Sequence, residues 1–284
     1  MLWYKGYISE QISAKEINLS SVNYDLLNSI QYVDILEYLT YGANELGYNA
    51  ATRSKHISAI DQYYKYMERH DDLVVNNPTA DLSTPKQPKR EPIYLNEEEA
   101  LKLLNVVGND IESPFYIRDY CIITIFLNLG LRISELVNIN FKDIHGEELR
   151  IHGKGNKERI ITLNEACTKA ITDYIKVRPI EKVVDKDALF LSRELKRINI
   201  RTVQYMVSKY LKKANLDGRK LSPHKLRHTA ATLMFQFGGT DSRTLQSILG
   251  HENLSTTEIY THVNQKQIKT ALNSNPLSKI KRGE

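Results

Sequence analysis

His224 and Arg227 stand three residues apart in LSPHKLRHTAATLM, residues 221–234. Ser222 is a good helix N-cap and Pro223 a good first helical residue. The spacing therefore puts an imidazole and a guanidinium on one face of a new helix, close to its N-terminus. Such a pair, beside the unpaired N–H groups of a helix start, can hold an anion. A second candidate segment is LQSILGHENLSTTEIYTHV, residues 245–263. There Gly250 ends one helix, and Ser255 and Glu258 form an S-x-x-E capping box for the next. His251 falls in the turn and Tyr260 in the second helix. In LGLRISELVNI, residues 129–139, Arg132 opens an apolar helix and Glu135 is placed to pair with it. Lys154 sits in a Gly-Lys-Gly-Asn stretch. Each of these has an ordinary explanation by itself. H-x-x-R occurs on many helix surfaces, and His228 reads as a packing or hydrogen-bonding histidine. A tyrosine in a chain with 17 of them is usually a core residue. Residues 241–262 read equally as a helix-turn-helix that contacts DNA. A lysine at a turn keeps the turn soluble. His251 and Glu252 alone are too few ligands for a metal.

The elements that must position these groups are mostly helical. Asn96 caps a helix whose first turn carries Glu97, Glu98 and Glu99, the charge a helix N-terminus prefers. Ile57, Ile60, Tyr63, Tyr64 and Met67 recur at helical spacing, and another helix is expected over Ile30 to Ala43. One interlude is strand-like. Leu149 and Ile151 are followed by Ile160, Ile161 and Leu163 around Gly153-Lys154-Gly155-Asn156, which predicts a β-hairpin with Lys154 at its tip. Phe141 to Ile144 is expected to add a third strand. Pro78, Pro85, Pro88 and Pro92 interrupt the helices, with Lys86, Lys89 and Arg90 among them, so residues 79–93 read as a linker.

The chain has 284 residues, 41% hydrophobic and 26% charged, enough for one or two domains with real cores. No apolar run approaches the roughly 20 residues that span a bilayer, and MLWYKGYISE lacks the apolar stretch of a signal peptide. Two cysteines, Cys121 and Cys167, make neither a disulfide framework nor a cysteine-based zinc site, and a reducing cytoplasm is expected. Charge is unevenly spread. Residues 1–90 hold 9 basic and 11 acidic groups, whereas the remainder has a net of +7. Ten basic residues fall between Arg193 and Lys225, opposed only by Glu194 and Asp217. Such a run is either a solvated helix face or a surface for a polyanion.

Taken in order, Arg132, Lys154, His224-x-x-Arg227, His251 and Tyr260 form a set. With them the sequence resembles the tyrosine recombinases, the lambda-integrase family, and is most similar to Xer-type site-specific recombinases. The motifs carrying the resemblance are GLRISELV, HGKGNKERIITL, SPHKLRHTAAT and LGHENLSTTEIYTHV, together with the linker phrase NPTADLSTPKQPKREPIYLNEEEALKLL. The similarity runs over nearly the whole chain after about residue 30.

The resemblance implies a mainly α protein that closes on DNA as a C-shaped clamp. An all-helical, SAM-like core-binding domain (1–78) would be joined by the linker (79–93) to an α+β catalytic domain with a small antiparallel sheet (94–284). It also implies that the family's first long helix is missing, because LWYKGYIS stands where that helix ends. Tyr260 would be the nucleophile, forming a 3′-phosphotyrosine on the way to a Holliday junction. Arg132 and Arg227 would hold the phosphate oxygens with planar forks. Lys154 would protonate the departing 5′ hydroxyl, with Lys157 and Arg159 as weaker candidates. His224 would assist proton removal from Tyr260 or orient the phosphate, and His251 would donate to a phosphate oxygen. No cofactor, metal or ATP is called for. Arg53, Lys55, Lys86, Lys89, Arg90, Lys157, Arg159 and Arg201 are the expected DNA contacts. The partner is double-stranded DNA with paired inverted sites, bound by four protomers of this chain or by a mixture with a related recombinase, in the cytoplasm at the nucleoid and without a membrane. The stripe Ile268, Ala271 and Leu272 must dock somewhere, either on its own domain or, as the resemblance implies, on a neighbouring protomer. Two other readings use the same residues: a type IB topoisomerase-like nicking-closing enzyme, and a non-catalytic helix-turn-helix regulator.

Overall fold

The computed structural model describes residues 23–70, 77–83, 85, 93–153, 158–238, 242–249 and 265–282. Contacts divide the chain into two units, Met1–Glu91 and Pro92–Glu284. In the first, α1 (Tyr24–Ser29) is capped by Asn23, whose side chain accepts the Leu26 N–H. Helices α2 (Tyr32–Asn44) and α3 (Ala50–His70) follow. Ile30, Ile35, Tyr38, Leu39 and Ile57 form their shared core, with Tyr48, Ile60 and Leu82 against it. Of the stripe expected on α3, Ile57 and Tyr64 are buried, whereas Tyr63 is exposed and meets Tyr64 edge-on. Thr79 is also buried here, its hydroxyl bonded to Asp61, so the first residues after Pro78 pack on the helices instead of hanging free.

The second unit is built around α5 (Tyr116–Leu129), buried at every position from Arg118 onward. A helix apolar on all sides has to be a central one. Packed on it are α4 (Glu97–Gly108), α7 (Glu165–Val177) and α9 (Pro223–Gly238). Asn96 caps α4 by accepting the Glu99 N–H, and Glu99 accepts the Asn96 N–H in return. Short α6 (Ile133–Val137) leads to a three-stranded antiparallel sheet of β1 (Ile144–His145), β2 (Glu148–His152) and β3 (Glu158–Thr162). The expected hairpin is there, with Ile151 opposite Arg159 and His152 opposite Glu158. The expected third strand is shorter and later. Phe141–Asp143 is a 3-10 turn, because the Asp143 carboxylate takes the Asn140 N–H at 2.8 Å and bends the backbone away from a ladder.

Helix α8 (Ile200–Lys213), α10 (Ser242–Leu249) and α11 (Gln265–Asn273) complete the unit. Of the C-terminal stripe, Ala271 and Leu272 pack within this chain. Ala271 and Leu272, with Leu277 from a following 3-10 turn, are at most 2% exposed and belong to the chain's own core. Asn275 donates to the Leu127 carbonyl at 2.9 Å, and Asn164 to the Leu272 carbonyl at 3.3 Å. Apolar burial and polar partners together seat the segment on its own domain. Among the described residues no helix is long and apolar enough to cross a membrane.

Candidate active site

The site starts where α5 stops. Gly130 ends that helix in the left-handed conformation, at φ +60°, and its N–H bonds to the Phe126 carbonyl. A Cβ at this position would lie 2.8 Å from Leu249 Cδ2, so glycine also permits the close approach of α10. The chain then turns into α6 with Arg132 at its N-cap. The Arg132 N–H donates to Glu135 Oε2 at 2.8 Å and its guanidinium to Glu135 Oε1 at 2.9 Å.

Glu135 is the centre of an arginine cluster. Its side chain is only 3% exposed, yet it meets three guanidiniums. Arg159, from β3, grips it with both ends of its fork, Nη1 to Oε1 at 2.8 Å and Nη2 to Oε2 at 3.0 Å. Arg227, from α9, comes within 3.9 Å. Burial alone would raise the Glu135 carboxyl, but Arg159 and the Arg132 donors hold it below the usual carboxylate range. The carboxylate is thus ionised at neutral pH.

Arg227 is buried and aimed by two carbonyls. It donates to the Gly130 oxygen at 2.9 Å and to the Leu249 oxygen at 2.7 Å. Burial and the neighbouring Arg132 push its pKa down to about 10, which still leaves it charged at neutral pH. His224 is exposed one turn earlier on α9. His228 packs edge-on against Tyr94, and burial, Lys225 and His224 lower its pKa. Arg132 differs from its partners in being half-exposed, its side chain 41% accessible, so it can meet a ligand while Glu135 holds it.

Of the expected site residues, the structure therefore brings Arg132, Arg159 and Arg227 together, with His224 on the same helix as Arg227. Lys154, Lys157, His251, Tyr260, Lys86, Lys89 and Arg90 lie outside the described residues, as do Gly250 and the Ser255–Glu258 box. The Leu249 carbonyl that holds Arg227 is two residues before His251 in the chain. Arg53 is half-buried and Lys55 exposed near the start of α3. Among the described residues no group of three or more His, Cys, Asp or Glu side chains is placed to hold a metal ion.

Sequence reasoning saw the Arg132–Glu135 pair but not that Glu135 organises the cluster. The signal was strand parity. Arg159 shares a face of β3 with buried Ile161, and an arginine on the core side of a strand needs a buried anion. The basic run from Arg193 to Lys225 is also more structural than its charge suggests. Lys196, Arg197, Lys209, Lys213 and Arg219 all pair with carboxylates. Arg201 and Lys212 are exposed on α8, on either side of Tyr205, which is 75% exposed.

A sequence profile described as the phage integrase family matches residues 94–267, the stretch that contains the whole arginine cluster. The chain is 53% identical over 274 residues to a tyrosine recombinase XerC of Caldanaerobacter subterraneus subsp. tengcongensis, covering 96% of this chain and 76% of that protein. It is 37% identical to a tyrosine recombinase XerC of Staphylococcus carnosus, covering 89% of this chain and 84% of that one. A XerH site-specific recombinase bound to its difH substrate, in a pre-cleavage complex, has the same fold. The TM-score is 0.68 and the identity 24%, over 95% of this chain and 76% of that one.

Proposed function

The chain belongs to the phage integrase family of tyrosine recombinases, enzymes that break and rejoin DNA at specific sites, and from that premise we propose that it exchanges strands through a covalent link to Tyr260. The observation that carries this reading is the cluster around Glu135. It presents Arg132, half-exposed, beside a buried and charged Arg227. Two preset guanidiniums suit the equatorial oxygens of a phosphate whose negative charge grows during attack.

The Tyr260 oxygen attacks the phosphorus of the scissile diester. The P–O5′ bond breaks, the 3′ phosphate remains on the tyrosine, and the 5′ strand leaves as a hydroxyl after taking a proton from Lys154. His224 receives or guides the tyrosine proton, and His251 donates to a phosphate oxygen. Attack by a 5′ hydroxyl from the second duplex reverses these steps and yields a Holliday junction. The phosphotyrosine keeps the bond energy, so no nucleotide is consumed. Arg159 grips Glu135 with both ends of its fork and acts here through that carboxylate.

Four protomers on two paired inverted sites, acting on DNA in the cytoplasm, are the working assembly in this proposal. Linker cations Lys86, Lys89 and Arg90, with Arg53, Lys55, Lys157 and Arg201, contact the backbone. The relatives are recombinases, which favours neither a nicking-closing topoisomerase nor a passive regulator.

The test is a nicked suicide duplex. Tyr260→Phe should bind it as the wild type does and form no covalent adduct, because only the nucleophilic oxygen is lost. Adduct formation at the wild-type level would remove Tyr260 from this role.

A further inference from the structure

Helix α9 carries Arg227, and the same helix is held from its other side. Thr229 is fully buried. Its hydroxyl accepts the Leu95 N–H at 2.9 Å and donates to the Lys225 carbonyl, also at 2.9 Å. Leu95 is fully buried as well, so its N–H must find an acceptor. It stands ahead of the α4 cap at Asn96, where no carbonyl of that helix can serve it. The acceptor comes from α9 instead, 134 residues further along the chain. The preceding residue touches the same helix. The Tyr94 ring meets the His228 ring edge-on, with centroids 6.2 Å apart. The segment by which the chain enters the second unit therefore rests on two consecutive residues of α9, His228 and Thr229.

Arg227 and Thr229, two residues apart, point about 200° away from each other around the helix. Arg227 is fixed on its side by the Gly130 and Leu249 carbonyls. Packing there is close: a Cβ on Gly130 would lie 3.5 Å from the Arg227 carbonyl oxygen and from Ala230 Cβ. The start of α9 is thus gripped from both sides, but the two grips differ. The carbonyls hold the end of a long side chain, which leaves the backbone behind it free to shift. The threonine hydroxyl sits on Cβ of a side chain with few rotamers, so its hydrogen bond to Leu95 fixes the helix itself.

We propose that Thr229 is a positioning residue for strand cleavage: by pinning the Leu95 backbone to α9 it sets the roll of that helix, and with it the place where the Arg227 guanidinium meets the scissile phosphate. The inference rests on the reading of Arg227 as a phosphate clamp. It extends that reading to a hydroxyl that is itself buried away from the DNA. The competing role for a buried threonine is to fill space with its methyl group, and the two roles part when hydroxyl and methyl are removed separately.

The test is single-turnover cleavage of the suicide duplex by the full chain, at saturating protein and at a temperature where melting curves show each variant folded. Thr229→Val keeps the shape and loses the hydroxyl, whereas Thr229→Ser keeps the hydroxyl and loses the methyl. Thr229→Val should cleave about tenfold to a hundredfold more slowly than the wild type, as when a reacting group is displaced by up to about 1 Å. Its single-site binding should be unchanged, and Thr229→Ser should cleave near the wild-type rate. A second substrate asks whether the defect runs through Arg227. With a methyl group in place of one non-bridging oxygen, the scissile diester is uncharged and leaves a guanidinium less to stabilise. On that DNA Thr229→Val should approach the wild type. If Thr229→Val does not fold, Tyr94→Ala loosens the same segment on the same helix and should give the same pattern on the two substrates. Wild-type cleavage of ordinary DNA by Thr229→Val, or by Tyr94→Ala in its place, would overturn the inference. So would an equal defect on both substrates, or a defect in Thr229→Ser as deep as in Thr229→Val, which would give the role to the methyl. Arg227→Lys is the control for the underlying reading. If it cleaves ordinary DNA at the wild-type rate, the clamp assignment falls and takes the inference with it. If it is slow while Thr229→Val is not, the inference alone fails.

Discussion

Glu135 is a carboxylate that a folded chain can keep buried only with cations around it. Arg159 supplies the bidentate partner and Arg132 two further donors, so removing the charge leaves several guanidiniums uncompensated. Glu135→Gln should therefore lower stability by about 3 kcal/mol and slow DNA cleavage as Arg132 and Arg227 lose their common reference. Melting temperature and suicide-substrate cleavage measure the two effects. The depressed carboxyl also gives a pH signature. Its contribution is complete above the unfolded value of about 4.3 and is lost as pH falls through the lower folded value. The Glu135→Gln variant should lack that part of the acid limb in its melting profile. Arg132 is a different case because its fork is half-exposed. Arg132→Lys keeps the charge but not the planar pair of donors, and cleavage should fall by about two to three orders of magnitude with binding retained. A lysine variant that cleaves at the wild-type rate would show that Arg132 does not grip the phosphate.

At the scale of elements, the site depends on how one helix ends. Gly130 stops α5 at a positive φ, offers its carbonyl to Arg227, and leaves room for Leu249, whose carbonyl is the second acceptor. Gly130→Ala imposes a left-handed conformation that costs about 1–2 kcal/mol in an L-residue, and its Cβ pushes on Leu249. Melting temperature should drop, and cleavage should drop further than the stability loss requires, because Arg227 loses its alignment. If the variant melts lower but cleaves normally once folded, the two carbonyls do not set the arginine. The hairpin works in the same way. It turns Arg159 toward Glu135 on one face and His152 toward Asp143 and Glu158 on the other, so one small ladder serves two charged centres.

For the whole molecule, DNA binding is an electrostatic matter on which the structure refines the charge count. Five cations of the Arg193–Lys225 run are paired within the second unit, while Arg201 and Lys212 are exposed on α8. Binding to a site-containing duplex should still fall steeply with salt, log K declining linearly with log salt by about 0.9 for each phosphate neutralised. Arg201→Ala should reduce that slope by about one, whereas Arg197→Ala, which breaks a pair with Asp185, should lower stability and leave the slope alone. Equal slopes for the wild type and Arg201→Ala in a salt titration would remove Arg201 from the phosphate contacts.

The local elements were legible in the sequence because their causes are local. The Asn96 cap depends on residues within one turn, the hairpin on alternation across a glycine-rich centre, and the Arg132–Glu135 pair on helical spacing. The ordered set of motifs also identified the family, because each motif is a short, contiguous string. What the tertiary structure decided are the meetings between elements. Arg159 reaches Glu135 from another element, Arg227 is aimed by carbonyls at Gly130 and Leu249, and His152 finds Asp143 across the sheet. In the C-terminal stripe, Ala271 and Leu272 are buried in the chain's own core. A stripe of apolar residues states that a surface must be covered, but not by what. Only the packed core, with Asn164 and the Leu127 carbonyl in place to receive the segment, supplies the cover.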